Sequence, residues 1–563
     1  MQNKWLLLRF SLYSFLCLVI ITPGGIQAGP GDLGIDFDLQ GFVDKAIQAG
    51  LQPIVIPPGR YRVTPRHRQH LVLQDLADVQ IVAEGVEMIC CETTRALTIS
   101  NCRNVTLRGL TVDYDPLPYT QGRIVKLSEN NTVHDIELFD GYPGSDQVQN
   151  FKYEIFRPDT RTLRFGSYYE FRVVAQEANR IRIIRGGRYH GEKVGDIIAI
   201  GTQYAPGGQI PHAIYTTRSR NVVLEDITLY ASNCFGFFET NCERTTYRRC
   251  RIDRRAAKDD FKERADPRIR SLDADAFHSK FAVVGPQIIE CTARFQADDC
   301  VNICGDYHMV MASEGSKLRV LSKGNMNIEP GDSLEVVGYD GRRLADALAV
   351  SVTRSGDITG EELAFMAKQR MHKPFTEGSL RRIYEVVIDR PVELVRGSII
   401  AAANRIGNGF KVAGCDFGFN RSRGILIKAS HGEVSGNTIE GCVEEAIKVS
   451  PEYWWLEAGS SNNVLITGNN IRNCEGMGIA VYALAGAGGL APAGAHNDIV
   501  IRDNRLRNVA GREIWVTSTR GLILRDNDFG ESEPDIKLED CERVATDNSA
   551  TAIGEVPSKD SEK

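Results

Sequence analysis

Short runs of alternating apolar and polar residues recur along this chain. Each is followed by a polar step and a second apolar pair. Leu107-Arg-Gly-Leu110-Thr-Val112 is one copy, and Leu224-Glu-Asp-Ile227-Thr-Leu229 is another. Further copies start at Val412, Val434, Ile466, Ile501 and Leu524, with degenerate ones at Tyr247 and Ile288. The steps are 23 residues from Leu224 to Tyr247, 22 from Val412 to Val434 and 23 from Ile501 to Leu524. Longer steps of 32 (Val434 to Ile466) and 35 (Ile466 to Ile501) contain evident loops, from Glu452 to Asn462 and from Leu484 to Ala495. Alternation with a period of two marks half-buried strands. A repeat of this length cannot bury its apolar face alone, so successive copies must stack. The pattern predicts an all-β protein built on a right-handed parallel β-helix.

Two stretches break the register, between Val112 and Leu224 and between Cys304 and Val412. Both contain strand-like runs, such as Phe171-Arg-Val-Val and Tyr384-Glu-Val-Val, and predict two inserted β-barrel-like domains. Asp38 to Gln48 reads as an amphipathic helix that caps the first coil. The expected organisation is a leader over 1–28, a cap and first coils over 29–112, and a first insert over 113–210. Coils with the acidic residues over 211–305, a second insert over 306–400, C-terminal coils over 401–545 and a polar tail over 546–563 follow.

Length and composition refine this picture. The chain has 563 residues, enough for about four ordinary domains, but the repeat replaces them with one solenoid. Its 53 glycines fit a turn in every coil. The net charge of −6 offers no excess to neutralise a phosphate backbone, so nucleic acid is not an expected partner. Lys4 and Arg9, the apolar run Phe10 to Thr22 and Ile26-Gln27-Ala28 read as a cleaved export signal. The expected location is periplasmic or secreted, with no integral membrane segment after cleavage and a retained anchor helix as the alternative. Of 14 cysteines, Cys250, Cys291 and Cys415 occupy the coil position that holds Asn in later copies, and Cys442 and Cys474 share another. Stacked interior thiols account for these better than a disulfide framework.

The candidate chemistry lies in Ser271-Leu-Asp273-Ala-Asp275-Ala-Phe-His278 and, one coil later, in Asp298-Asp299-Cys-Val-Asn302-Ile-Cys304-Gly305. The step from Tyr247 to Ile288 is 41 residues, and the charged run from Arg254 to Arg270 fills the excess. Removing 18 residues places Asp275 and Asp298 at the same coil position, about 4.8 Å apart on adjacent strands. Crowded carboxylates raise at least one pKa. A glycosidic bond needs one protonated acid and one ionised carboxylate. An external Asp ladder or a Ca²⁺ site is the competing reading. On neighbouring coils, Asn233, Arg423, Glu444, Glu445 and Lys448 extend the column, Arg423 or Lys448 being placed to hold sugar hydroxyls or steer a carboxylate. Trp454 and Trp455 read either as a sugar-stacking platform or as a core plug. His278 reads as a substrate contact or as a hydrogen-bonded structural residue.

At these residues the chain resembles the α-1,3-galactosidases of glycoside hydrolase family 110. The matching features are Asp273-Ala-Asp275-Ala-Phe-His278, Gly285, Asp298-Asp299-Cys-Val-Asn302, Arg423-Gly-Ile-Leu and the stretch from Glu445 to Glu457. The resemblance implies a pectin-lyase-like solenoid carrying small β-barrels and an inverting exo-hydrolase of terminal α-1,3-linked galactose. No metal or other cofactor is implied. Asp275, Asp298 and Asp299 would be catalytic; acid and base stay unassigned among them. Asp273, His278, Asn302, Arg423, Glu445, Trp454 and Trp455 are the candidate substrate-binding residues, and a galactose-containing oligosaccharide or polysaccharide is the expected partner. The family usually has His where this chain has Cys304, a change that puts one substrate contact in question. Oligomeric state stays open, a homodimer included. Three other functions remain: a polysaccharide lyase or epimerase, a polygalacturonase-like glycosidase, and a non-catalytic glycan-binding β-helix.

Overall fold

A computed structural model describes residues 33–168, 171–176, 179–185, 191–203, 212–531, 533–547 and 551–552. The leader expected over 1–28 and most of the tail over 546–563 lie outside these residues. No helix among the described residues is long and apolar enough to cross a membrane.

Three long, mostly parallel sheets of 11, 12 and 13 strands run the length of the solenoid. In the 12-stranded sheet, Leu107 is level with Leu224, then Tyr247, Ile288, Val412, Val434, Ile466, Ile501 and Leu524. These are the positions the repeat aligned, and all are buried. Their alternation with outward polar residues fixes the register, because a slip of one residue would expose the whole apolar column.

A side-chain ladder stitches the coils at the turn after this strand. Asn469 Oδ1 accepts from the Asn437 amide nitrogen (3.0 Å) and from Asn437 Nδ2 (2.9 Å). Asn504 serves Asn469 in the same way, and Asn527 serves Asn504. Toward the N-terminus the ladder passes to sulfur: Cys415 N donates to Asn437 Oδ1 (2.9 Å) and Cys291 N to Cys415 Sγ (3.4 Å). The 13 described cysteines all carry free thiols. Helix Leu39–Gln48 buries Leu39, Val43 and Ala46 against the first coil.

The two interruptions are antiparallel. The first is a seven-stranded sheet between Tyr119–Leu127 and Ile197–Thr202, packed around Ile124, Ile136, Ile155, Ile181, Ile183 and Ile198. The second closes as a six-stranded barrel from His308–Glu314 to Ile399–Ala402. It also carries helices Gly360–Met366 and Lys373–Thr376, which strand patterning alone does not predict. Thr359 and Glu362 form a capping box at the first of them, the local signal for that helix.

Candidate active site

The third sheet carries the acidic residues. Phe237, Phe277, Val301, Ile425 and Ile447 are level on successive coils and point inward. Counting back two residues from each gives the column Phe235, Asp275, Asp299, Arg423, Glu445. Asp275 is therefore level with Asp299 and not with Asp298 as the spacing predicts. The insertion before Asp275 is one residue shorter than the count assumed, which shifts the pairing by one. Asp298 falls instead between Ala274 and Ser422, with Glu444 beyond. Asn233 is level with Asp273, as the bridge between Ser232 and Leu272 requires. Lys448 follows His278 and Asn302 on another column.

The three aspartates still meet. Asp275, Asp298 and Asp299 each offer an oxygen within 4.8 Å of the others. Asp275 and Asp299 are buried, at 4% and 2% exposure, whereas the Asp298 side chain is 25% exposed. Their environments differ accordingly. Burial, then the neighbouring Asp298 and Glu457 charges, pushes Asp275 well above the usual carboxylate range. Burial, with Asp275 and Asp298 adding to it against Arg423, pushes Asp299 up to about 8. Burial acts upward on Asp298 too, but Arg421, Lys152 and Arg423 outweigh it and hold this group below its ordinary value. Arg421 Nη2 pairs with Asp298 Oδ1, and the Arg423 amide donates to Asp299 Oδ1 (2.9 Å). The surroundings thus lower the proton affinity of Asp298 and raise that of Asp275 and Asp299 within one site.

Asp273 is buried beside Arg270 Nη1 (2.9 Å), and burial raises it to about 6. His278 Nδ1 lies 2.7 Å from Asp275 Oδ2, and its Nε2 lies 3.8 Å from Cys304 Sγ. Phe235 stacks on the His278 ring at 4.4 Å. Asn302 Oδ1 accepts from Lys428 Nζ (3.1 Å).

Sequence reasoning left out the ionic network around this floor. Lys428 Nζ lies 3.0 Å from Glu457 Oε2 and 3.2 Å from Glu452 Oε2. Arg423 joins Glu452 (2.7 Å) and Glu444 (3.2 Å), and Lys448 joins Glu452 (3.2 Å). Lys280 and Lys323 both hold Asp306 at 2.9 Å. Burial works against the charge on Lys428, yet Glu452 and Glu457 raise its pKa overall. Glu452 and Glu457 come from the loop marked by the tryptophans, so composition hinted at them. Lys323 and Lys152 come from the inserts, and only the docking of insert on solenoid brings them here.

Trp454 and Trp455 are 50% and 40% exposed, so neither plugs the core. They part ways. Trp454 lines a cleft of about 290 Å³ with Lys448, Glu452, Tyr482 and the glycine-rich loop 484–489. Trp455 turns to the barrel insert and packs on His372 at 4.1 Å. Glu445 accepts from Tyr482 Oη (3.4 Å) at the edge of the same cleft.

The three aspartates also form a candidate cation cage, as do His278, Cys304 and Glu457. The donor sets fit a dication poorly. Arg421 already occupies Asp298 Oδ1, Arg423 Nε lies 3.5 Å from Asp299 Oδ1, and Lys428, Lys280 and Lys323 surround Glu457.

Residues 395–532 match the protein family described as right handed beta helix region. The chain is 22% identical over 474 residues to alpha-1,3-galactosidase B of Bacteroides thetaiotaomicron, covering 77% of this chain and 72% of that protein. Among solved structures it is similar to the A-module of mannuronan C-5 epimerase AlgE6 from Azotobacter vinelandii. That match has a TM-score of 0.39 and 12% identity, over 92% of this chain and 97% of the other. A tailspike protein mutant of E. coli bacteriophage HK620, in complex with pentasaccharide, matches with a TM-score of 0.37 and 9% identity. There the match covers 90% of this chain and 59% of the tailspike. The parallel β-helix is thus supported by a family match as well as by its own strand pairing.

Proposed function

We propose that this protein is an exported exo-glycosidase that releases terminal α-1,3-linked galactose from glycans. The observation that carries the reading is the gathering of three carboxyl groups, with oxygens within 4.8 Å of one another, in unlike surroundings in one site. Asp299, with its proton held to about 8, is the general acid that protonates the glycosidic oxygen. Asp298, ionised beneath Arg421, is the base that takes a proton from the attacking water. A general acid works best when its pKa lies near the working pH. Asp275, hydrogen-bonded to His278, lies beside the reacting bond, and ionising both Asp275 and Asp299 would bring two like charges together, which disfavours loss of the Asp299 proton. Asp273, Asn302, Arg423, Glu445 and Trp454 form the sugar-binding surroundings. The galactoside specificity rests on the resemblance of the aspartate motifs and on the 22% identical relative.

A lyase or epimerase mechanism would draw its base from Lys or Arg. Here Lys428 pairs with Glu452 and Glu457 and Arg423 with Glu452 and Glu444, and these ion pairs favour the charged forms, which cannot accept a proton. The test is a panel of galactosides and other glycans followed by proton NMR of the first-formed sugar. β-Galactose appearing first from an α-1,3-galactoside is the expected result. The oxygen separations, within 4.8 Å, are shorter than the about 6.5–9.5 Å usual between inverting carboxyls. α-Galactose appearing first would therefore make Asp298 a nucleophile instead of a base. An unsaturated product, or binding without turnover, would overturn the hydrolase reading.

A further inference from the structure

We propose that Lys152, delivered by the first inserted sheet, is a positioning residue that sets the charge and orientation of Asp298. The inference rests on the role of Asp298 given above. Lys152 sits in strand Val148–Phe156, outside the solenoid in sequence, and its side chain is 3% exposed. Its Nζ donates to the carbonyl of Ala297 at 3.2 Å. Arg421 Nε, from the next coil, donates to the same carbonyl at 2.7 Å while its Nη2 pairs with Asp298. The peptide that leads into Asp298 is thus clamped from two sides by cations from separate parts of the chain. Two residues along the same strand, Glu154 pairs with Arg270 Nη1 at 2.5 Å, and Arg270 in turn holds Asp273. One face of the strand therefore matches the charges around the site.

Lys152 Nζ also lies 3.9 Å from an Asp273 carboxylate oxygen. Burying an ammonium carries a desolvation cost, and buried charges that perturb their neighbours cluster at functional sites. The charged and titratable groups facing Asp298 are Arg421 and Arg423 from the following coil, Lys152 from the insert, Asp273 and Asp275 from the preceding coil, and Asp299 beside it. Lys152 is the one cation among them that the solenoid does not supply. Removing its charge leaves Asp298 protonated to higher pH.

The test compares Lys152→Gln, which keeps a donor toward the Ala297 carbonyl but drops the charge, with Lys152→Arg, which keeps the charge. Thermal unfolding confirms that each variant is folded. The pH profile of kcat/KM is measured on an α-1,3-galactoside. The Asp298 carboxyl is titrated independently by ¹³C NMR, assigned by its loss in Asp298→Asn. For Lys152→Gln the acid limb and the Asp298 titration both move to higher pH. Activity at pH 5 then falls on the order of tenfold, the alkaline limb stays, and Lys152→Arg restores the profile. A lower kcat with unmoved limb and titration would overturn the proposal while leaving the hydrolase reading intact. Failure to hydrolyse any glycan would remove that reading instead, and the NMR titration would still decide the Lys152 link. If Lys152→Gln does not fold, Lys152→Met is titrated in its place, an upward shift of Asp298 supporting the role of charge and an unmoved titration refuting it.

Discussion

Asp275 and Asp299 lie level on adjacent coils, locked there by the Ala276 amide donating to the Asp299 carbonyl at 2.9 Å. Neither side chain can ionise without the other feeling its charge through a dry site. Asp298, one residue along, escapes this because its side chain turns toward Arg421 and partial solvent exposure.

Replacing Asp298 with Asn removes the proposed base and leaves an uncharged isostere. Steady-state assays on an α-1,3-galactoside should show kcat reduced by about three orders of magnitude or more, with KM within a few-fold of wild type. Near-normal turnover would move the base elsewhere.

Asp299 also makes a stability prediction. Its proton is retained in the folded state up to about 8, whereas an unfolded Asp releases it near about 3.9. Between those values the native state binds the extra proton, so stability falls as pH rises through the window. Asp299→Asn abolishes the penalty. Its melting temperature should exceed that of wild type by a few degrees at pH 8, and the difference should close below pH 4. A constant difference at all pH values would show that the effect is packing.

The asparagine ladder bears on folding alone. Asn469→Ala takes away the acceptor of the Asn437 backbone amide and the side-chain donor bonded to the Val434 carbonyl at 3.0 Å. The cost is about 3 kcal/mol, read as a lower denaturation midpoint, with kcat unchanged in the protein that remains folded.

The two tryptophans separate experimentally. Trp454→Ala opens the cleft lined by Lys448 and Tyr482 and should raise KM several-fold for an oligosaccharide. Trp455→Ala removes the His372 contact and should leave KM unchanged. Equal effects would show that the platform reading is wrong.

The free thiols predict that reductant leaves the melting temperature where it is, despite 13 described cysteines. A large drop would reveal a disulfide.

The stacking of coils was legible residue by residue, because a two-residue alternation repeated at a near-constant step admits one register. The Asn and Cys ladder was legible for the same reason: a side chain at a fixed turn position must meet its counterpart on the next coil. The acidic cluster could be placed on one face, but its pairing missed by one residue. Across the loop from Arg254 to Arg270 no repeat exists, so counting has no anchor there, and only the pairing of Phe277 with Val301 sets the register. The sequence by itself determined the solenoid, its two interruptions and the gathering of aspartates on one face. Tertiary structure alone decided how the surroundings of the three carboxyl groups differ. That depends on burial and on cations such as Lys152 and Arg421, which lie over a hundred residues away in the chain and reach Asp298 only when the insert and the next coil close around it.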